Sequence, residues 1–469
     1  MPTTTLTNPV NGTSTAFEGR PIPQWFDDAK FGVFVHWTAA AVPAFAPVGR
    51  SVFDLAAEEG QEAAFARSPY VEWYQNSLAI DGSPVQLHHA ATYGTQPYDE
   101  FVREFSSGHR GWNPNEWADL FARAGARYVV LVTKHHDGVL LWPSAHSNPH
   151  KRQWQSDRDI VGELATAVRE RDMRFGTYYS GGLDWTFGGL PITDFSSMLA
   201  AIPQTADYLE YVDAHWRELI ERYEPSVLWN DIGYPAAADL DGLFTSYYDR
   251  VPDGVVNNRF DWIRQSAGQV HADFLTPEYS TAGAPGRKWE STRGIGTSFG
   301  YNREERDEDY LSADALVRML VEVVAHGGNL LLNAGPAGDG TIPFVQVQRL
   351  LALGWWLRVN GDAIYGTRPW HTPRGTAGGG IDVCFTRSND ALHAIVLGTP
   401  SSSVVELPDV EPADDAVVTQ LGRSGNLSWR RAGQGIEVDL SGRPPRGPAF
   451  TLRVSPAPPA DPGPAAVSG

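Results

Sequence analysis

Two acidic residues stand where they could act together. Asp231 ends the apolar run SVLWND (226–231), and Glu278 lies near the end of DFLTPEY (273–279). Both runs are rich in β-branched and aromatic residues, which indicates buried strands. The carboxyl ends of neighbouring parallel strands meet at one edge, so the two acids could face one pocket. Such a pair suits glycoside hydrolysis, in which one carboxylate attacks the anomeric carbon and the other protonates the leaving oxygen.

Polar or aromatic residues also end the other candidate strands. These ends read His36-Trp37, His135-His136-Asp137, Tyr178-Tyr179, Trp229-Asn230-Asp231 and Asn257-Asn258-Arg259. In (β/α)₈ barrels the active site is built from residues at the carboxyl ends of the strands. The ring therefore predicts a binding or catalytic site. The local alternative is that Asp231 caps a following helix and that Glu278 is a solvated loop acid.

Histidines at two strand ends permit a different chemistry. His36, His135 and His136, with Asp137, could bind a divalent metal as in metal-dependent barrel hydrolases. His135 and His136 are adjacent, however, and neighbouring side chains of a strand are expected to diverge. Imidazoles that bind sugar hydroxyls explain the same residues, so we expect neither a metal nor a cofactor. The metal-dependent hydrolase remains an alternative.

Strand-like and helix-like segments alternate over most of the chain. Candidate helices separate most of the strands, and Asn113 and Ser312 are suitable N-caps for two of them. The pattern predicts an α/β fold, an irregular (β/α)₈ TIM-like barrel over 16–366 with little helix between strands 5 and 7. The predicted strands are 31–37, 127–135, 174–180, 226–231, 254–259, 273–279, 288–294 and 328–336; the predicted helices are 113–125, 158–171, 205–223, 238–250, 312–326 and 343–359.

The pattern changes after the barrel. Short alternating runs follow one another at about ten-residue spacing and are separated by turn residues, which predicts a C-terminal antiparallel β-sandwich over 367–455. Its predicted strands are 381–387, 391–398, 403–409, 416–422, 435–441 and 449–455. The ends of the chain, 1–15 and 456–469, have compositions typical of disorder.

Composition excludes several classes of partner. The 469 residues include 37 Lys and Arg against 56 Asp and Glu, a formal charge of −19, which disfavours nucleic acid and anionic membranes. The single cysteine, Cys384, forms neither an internal disulfide nor a cysteine zinc site. The first residues lack the pattern of a signal peptide, so a cytoplasmic location is expected. A homo-oligomer stays possible.

Seven motifs in the same order resemble one known family. The chain is similar to the α-L-fucosidases of glycoside hydrolase family 29 over roughly residues 20–370, and the small C-terminal β domain also fits that family. Agreement of seven motifs in order and spacing is far more specific than any one of them. The motifs are FGVFVHW, YVEWYQNS, TKHHDGVLLWPS, FGTYYSGGLDW, VLWNDIGYP, KWESTRGIGTSFGYN and GGNLLLNAGPAGDGTIP.

The resemblance implies a role for each matching residue. It implies a retaining exo-α-L-fucosidase acting on a fucosylated oligosaccharide or a small α-L-fucoside, with Asp231 as nucleophile and Glu278 as acid/base. Glu290 and Glu72 are the reserve candidates for the acid/base. A catalytically silent fucose-binding barrel is the alternative. The residues that the resemblance implies for substrate binding are His36, Glu72, Trp73, His135, His136, Tyr178, Trp229, Arg259 and Phe299, with Phe299 near the C5 methyl group.

Overall fold

The computed structural model describes residues 16–283, 286–442 and 445–458. The predicted N-terminal tail and residues 459–469 of the predicted C-terminal tail lie outside the described residues.

Helices surround the N-terminal sheet, and their ends follow capping chemistry. The Asn113 side chain accepts from the backbone N–H of Asn115, and the Ser312 hydroxyl accepts from that of Ala315, so both predicted caps are present. The helices are α1 (Gln24–Ala29), α2 (Val52–Glu59), α3 (Gln61–Ala66), α4 (Tyr74–Leu78), α5 (Pro84–Tyr93), α6 (Tyr98–Gly108), α7 (Pro114–Ala124), α8 (Ile160–Arg169), α9 (Phe195–Ala200), α10 (Ala206–Tyr223), α11 (Leu240–Arg250), α12 (Trp262–Ser266), α13 (Ala313–Ala325) and α14 (Phe344–Asn360).

Seven parallel strands form the N-terminal sheet, in the order β5-β4-β3-β2-β1-β7-β6. Most of their residues are buried, as expected for strands covered on both faces. The strands are β1 (Phe31–Val35), β2 (Tyr128–Lys134), β3 (Arg174–Ser180), β4 (Val227–Asp231), β5 (Val255–Val256), β6 (Glu290–Gly294) and β7 (Asn329–Ala334).

The predicted strand 273–279 is not a regular strand. The segment pairs only through isolated parallel bridges, from Phe274 to Asn257 after β5 and from Leu275 and Glu278 to Trp289 and Thr292 around β6. Pro277 lacks an N–H, and Tyr279 has a left-handed backbone (φ +53°), so a continuous ladder cannot form. The segment nevertheless bridges the two open edges of the sheet. The fold prediction of an irregular barrel is confirmed, whereas the predicted sixth strand is wrong as a regular element.

An apolar layer fills the barrel interior below its carboxyl end. Phe34, Val130 and Tyr178 pack there with Trp229 and with Phe26 of α1, which closes the opposite end. Gly32 makes room for this layer, because a Cβ atom at that position would lie 2.5 Å from the ring of Tyr128. The interior is therefore a packed core whose upper layer is Tyr178 and Trp229.

The segment between β1 and β2 contains five helices, α2 to α6, that the sequence analysis did not predict. Arg50 binds Glu58 and Glu59, and Arg67 also binds Glu59, which ties α2 to the end of α3. Phe101 and Phe105 of α6 pack into the main core. The long connection is thus an ordered cap on the carboxyl side of the barrel.

The C-terminal domain is an antiparallel sheet in the order β11-β14-β13-β12-β15-β10-β9-β8. Strands from both ends share one apolar core, and Cys384 and Ile395 pack instead against the core of the barrel. Two of these strands, Arg368–Ala377 and Asn426–Ala432, were not among the predicted ones. The strands are β8 (Arg368–Ala377), β9 (Ile381–Arg387), β10 (Leu392–Val396), β11 (Val404–Leu407), β12 (Val417–Gln420), β13 (Asn426–Ala432), β14 (Gly435–Asp439) and β15 (Phe450–Ser455).

The exact domain boundaries stay predictions. Within the described residues, no helix is both long and apolar enough to cross a membrane.

Candidate active site

One cavity of about 410 Å³ opens at the carboxyl ends of the barrel strands. All eleven residues that the sequence analysis singled out as site residues line it. They are His36, Glu72, Trp73, His135, His136, Tyr178, Trp229, Asp231, Arg259, Glu278 and Phe299. The structure therefore brings together side chains that are up to 263 positions apart in the chain.

Arg259 joins the two predicted carboxylates. Its Nη1 lies 2.9 Å from Oδ1 of Asp231, and its Nη2 lies 2.8 Å from Oε1 of Glu278. Nε and Nη2 also donate to Oγ1 and the carbonyl oxygen of Thr276, and the guanidinium lies over the ring of Trp229 at 4.7 Å. These contacts fix the guanidinium and place both carboxyl groups on one side of the cavity.

Asp231 is arranged to stay ionised. Burial alone would raise its pKa, but the charge and hydrogen bond of the adjacent Arg259 guanidinium and the hydrogen bond from Tyr178 act in the opposite direction, and the pKa of Asp231 is lowered. The hydroxyl of Tyr178 donates to Oδ2 at 2.9 Å, so both carboxylate oxygens are held. The alternative that Asp231 only caps the following helix does not apply, because Asp239 is the N-cap of that helix, α11.

His36 is held in one tautomer by Asn333. The Nδ1 atom of His36 lies 2.6 Å from Oδ1 of Asn333, whose amide nitrogen donates to the carbonyl of Phe299. Nδ1 is therefore the protonated nitrogen, and Nε2 is left as an acceptor. Burial lowers the pKa of His36 to about 4, so the ring is neutral at pH 7. Asn333 was missed, although it stands near the end of a predicted strand and the strand-end argument would have included it.

The expectation that His135 and His136 diverge is wrong. Their ring centroids are 4.0 Å apart and both rings line the cavity. Strand β2 ends at Lys134, so strand alternation does not govern the two residues. Nδ1 of His136 lies 2.6 Å from Oγ of Ser180, a hydroxyl that already donates to the carbonyl of Leu183, so Nδ1 is the donor.

Burial keeps both of these histidines neutral as well. It lowers the pKa of His136 to about 3 and that of His135 well below its usual value. The neutral ring of His136 presents Nε2 as an acceptor, and His135 lies almost parallel to Tyr178 at 5.7 Å. Uncharged imidazoles can exchange hydrogen bonds with hydroxyl groups without an ionic partner.

Glu72 and Trp73 enter the cavity from the segment before β2. Oε2 of Glu72 accepts from the backbone N–H of Gly300 at 2.8 Å, and burial raises the pKa of this carboxyl to about 7. Trp73 meets the ring of His136 edge-on at 5.1 Å. Phe299 lies 5.0 Å from the ring of His36 and provides an apolar wall beside it.

The reserve candidate Glu290 lies below the cavity and does not line it. It is completely buried at the start of β6, where Tyr128 Oη donates to Oε2 at 2.5 Å and Trp229 Nε1 donates to Oε1 at 3.1 Å. Burial raises its pKa to about 7. A carboxyl group in this position supports the floor and does not reach a ligand in the cavity.

Within the described part of the chain, no group of three His, Cys, Asp or Glu residues is arranged to hold a metal ion. The Nδ1 atoms of His36 and His136 are engaged in hydrogen bonds with Asn333 and Ser180.

The apolar outer wall of the cavity, built from α2, α3 and α9, was not predicted from the sequence, because short helices of mixed composition carry little periodic signal.

Neutral imidazoles can form hydrogen bonds with the hydroxyl groups of a sugar. Two carboxyl groups held by one guanidinium are suited to cleave the bond between a sugar and its leaving group. The fold and the cavity thus define a glycoside hydrolase. Comparison with known proteins agrees. The family model described as Alpha-L-fucosidase matches residues 3–362.

An α-L-fucosidase of Branchiostoma floridae is 35% identical over 444 residues, which cover 91% of this chain and 90% of the relative. Structures of the Thermotoga maritima α-fucosidase, in complex with a mechanism-based inhibitor and with fucose, are 42% identical. They have TM-scores of 0.82 and 0.81 and cover 93% and 92% of this chain and 97% of theirs. The chain belongs to the α-L-fucosidase family, glycoside hydrolase family 29.

Proposed function

We propose that this hydrolase is a retaining exo-α-L-fucosidase that releases terminal α-L-fucose by double displacement. The observation that carries the proposal is the contact of Arg259 with both Asp231 and Glu278 in one cavity. The Thermotoga maritima relative, whose structures contain fucose and a mechanism-based inhibitor, supports the choice of sugar. The proposed substrate is a fucosylated oligosaccharide or a small α-L-fucoside.

In the first step, Asp231 attacks the anomeric carbon while Glu278, in its acid form, protonates the glycosidic oxygen. The carbon–oxygen bond breaks, the leaving group departs as an alcohol, and a β-linked fucosyl ester forms on Asp231. In the second step, Glu278 takes a proton from water, the water oxygen attacks the anomeric carbon, and Asp231 leaves as a carboxylate. The sugar is thereby released with its α configuration.

The other residues hold the sugar during both steps. In this proposal the neutral rings of His36, His135 and His136, which face the cavity, bind fucose hydroxyls. Phe299 offers an apolar surface that suits the C5 methyl group of a 6-deoxy sugar. Tyr178 and Arg259 keep Asp231 oriented and ionised between turnovers.

The test uses an aryl α-L-fucoside with the wild type, Asp231→Gly and Glu278→Ala, each with and without azide. We expect the wild type to release α-L-fucose first, as read by NMR. Glu278→Ala with azide should give α-L-fucosyl azide, and Asp231→Gly with azide should give the β anomer. The control is Glu221→Ala, at an exposed acid on α10, which should behave as the wild type.

The azide products separate the possible roles. If the two anomers were exchanged between the variants, the carboxylates would have the opposite roles. An inactive wild type that still binds fucose would favour the silent binding barrel.

A cytoplasmic location and a homo-oligomer stay predictions.

A further inference from the structure

The cavity has two parts of different chemistry. Its floor carries the polar residues described above, whereas its outer part is lined by apolar side chains from the helical cap. We call this outer part the apolar mouth and define it by Phe53, Ala56, Phe65, Phe195 and Met198. Phe53 and Phe195 are 49% and 48% exposed, so they stand at the opening, while Asp231 is 8% exposed at the floor.

The apolar mouth is tied to the floor on two sides. On one side, Phe65 packs edge-on against both Trp73 and Phe195, at 5.7 and 5.8 Å. On the other side, Phe53 meets the edge of Tyr279, the residue that follows Glu278, at 6.1 Å. The mouth therefore extends from the side of the proposed acid/base around to the side of Trp73.

Helix α9 is fixed against α3 across the mouth. The backbone N–H of Phe195 donates to Oε1 of Gln61 at 3.0 Å, so this polar side chain at the rim is already engaged. Met198 belongs to a small apolar cluster with Leu183 and Ile192. The wall is part of the folded structure, and half-exposed phenylalanines on such a wall mark a surface that binds apolar groups.

We propose that the apolar mouth is the leaving-group subsite and that it selects α-L-fucosides with an apolar aglycone, an alkyl chain or an aromatic ring. This inference rests on the proposed function, because an exo-enzyme that holds fucose on the floor must let the aglycone project through the mouth. An alkyl or aromatic aglycone that passes Phe53, Phe65 and Phe195 would be removed from water there, which favours its binding. A sugar aglycone would instead lose hydrogen bonds with water that apolar side chains cannot replace.

The experiment compares kcat/KM for octyl and methyl α-L-fucoside, two alcohol leaving groups that differ in apolar length. For the wild type we expect the octyl compound to be preferred at least about tenfold, the effect of removing about two methylene groups from water. The double variant Phe53→Ser and Phe195→Ser should bring the ratio close to one. Fucosyl-lactose should be a poorer substrate of the wild type than octyl fucoside.

Two controls separate the mouth from the floor. Hydrolysis of α-L-fucosyl fluoride, which has no aglycone to contact the mouth, should be the same in the double variant and the wild type. Phe344→Ser, at a 75% exposed phenylalanine on α14 outside the cavity, should leave the octyl-to-methyl ratio unchanged.

A wild-type ratio near one, a ratio that survives in the double variant, or a preference for fucosyl-lactose would overturn the inference. If wild-type enzyme failed to hydrolyse α-L-fucosyl fluoride, the proposed function itself would be wrong. Hydrolysis of the fluoride without a preference for octyl fucoside would leave the proposed function intact and reject only the role of the mouth.

Discussion

Trp229 Nε1 donates a hydrogen bond to Oε1 of Glu290 at 3.1 Å, inside the barrel and beneath the two carboxylates of the cavity. The other oxygen of Glu290 accepts from Tyr128, for which Gly32 leaves room. On its upper side the indole lies under the guanidinium of Arg259. A buried acid thus orients an aromatic ring, and that ring supports the arginine that contacts Asp231 and Glu278.

This arrangement predicts that Glu290 is a positioning residue. In Glu290→Gln, the amide oxygen can still accept from Trp229, so we expect kcat/KM for an aryl α-L-fucoside to stay within about tenfold of wild type. Glu290→Leu leaves the Trp229 N–H and the Tyr128 O–H unpaired, and its free energy of unfolding in urea should fall by about 1–3 kcal/mol for each.

Azide distinguishes this role from that of an acid/base. If Glu290→Gln were nearly inactive and azide restored activity with formation of fucosyl azide, Glu290 would be the acid/base and Glu278 would not.

Sequence patterning predicted the barrel because its strands are buried on both faces and stay apolar along their length. The helices from α7 onward that were predicted carry long apolar stripes and recognisable caps, such as Asn113 and Ser312. The cap helices α2 to α6 were missed because they are 5 to 11 residues long and are held by tertiary packing. Strand β8 contains two prolines, at 369 and 373, which argue against a strand except at an edge, where it lies.

More residues of the cavity floor than of its apolar mouth could be predicted from the sequence. Strand ends and motif matches identified residues whose side chains meet at the floor of the cavity. Ser180 and Asn333 also stand at or near predicted strand ends, but their role in fixing the tautomers of His136 and His36 could not be predicted, because it depends on a three-dimensional contact. The apolar mouth was also missed, since Phe53 and Phe195 are 142 positions apart and carry no motif.

Removing the charge of Arg259 should shift the acidic limb of the pH–rate profile. In the proposed mechanism Asp231 must be ionised to attack, and Arg259 helps to hold its pKa below the usual value against the effect of burial. In Arg259→Gln the pKa of Asp231 rises. The acidic limb, in which kcat/KM falls as the pH is lowered, should therefore move to higher pH by about one to three units. Arg259→Lys keeps the charge and should show a smaller shift. A limb that stayed in place, or moved to lower pH, would contradict the role of Arg259.

Tyr178 and Tyr179 provide a matched pair on one strand. The Tyr178 hydroxyl donates to Oδ2 of Asp231 in the cavity, whereas the Tyr179 hydroxyl contacts Nδ1 of His215 on the opposite face of β3. Tyr178→Phe should lower kcat/KM by about tenfold or more, since a hydrogen bond to a charged group is lost. Tyr179→Phe should lower the free energy of unfolding and leave kcat/KM within about twofold. Equal kinetic effects of the two substitutions would show that Tyr178 acts only through packing.

Glu290 should also make the stability of the protein depend on pH. Burial raises its pKa from 4.5 to about 7 in the folded protein, even though Tyr128 and Trp229 donate to it. Between about pH 4.5 and 7 the unfolded chain has released this proton while the folded protein keeps it. The contribution of Glu290 to the free energy of unfolding is therefore greatest below pH 4.5 and falls as the pH rises towards 7.

Glu290→Gln removes this titration. As the pH rises, the free energy of unfolding of Glu290→Gln, measured in urea at a series of pH values, should increase relative to that of the wild type. The change should reach up to about 1.4 kcal/mol per pH unit between pH 4.5 and 7 and level off above pH 7. Glu221→Gln, at an exposed position, should show no such change. A constant difference between Glu290→Gln and wild type would mean that Glu290 already ionises in the folded barrel at acidic pH.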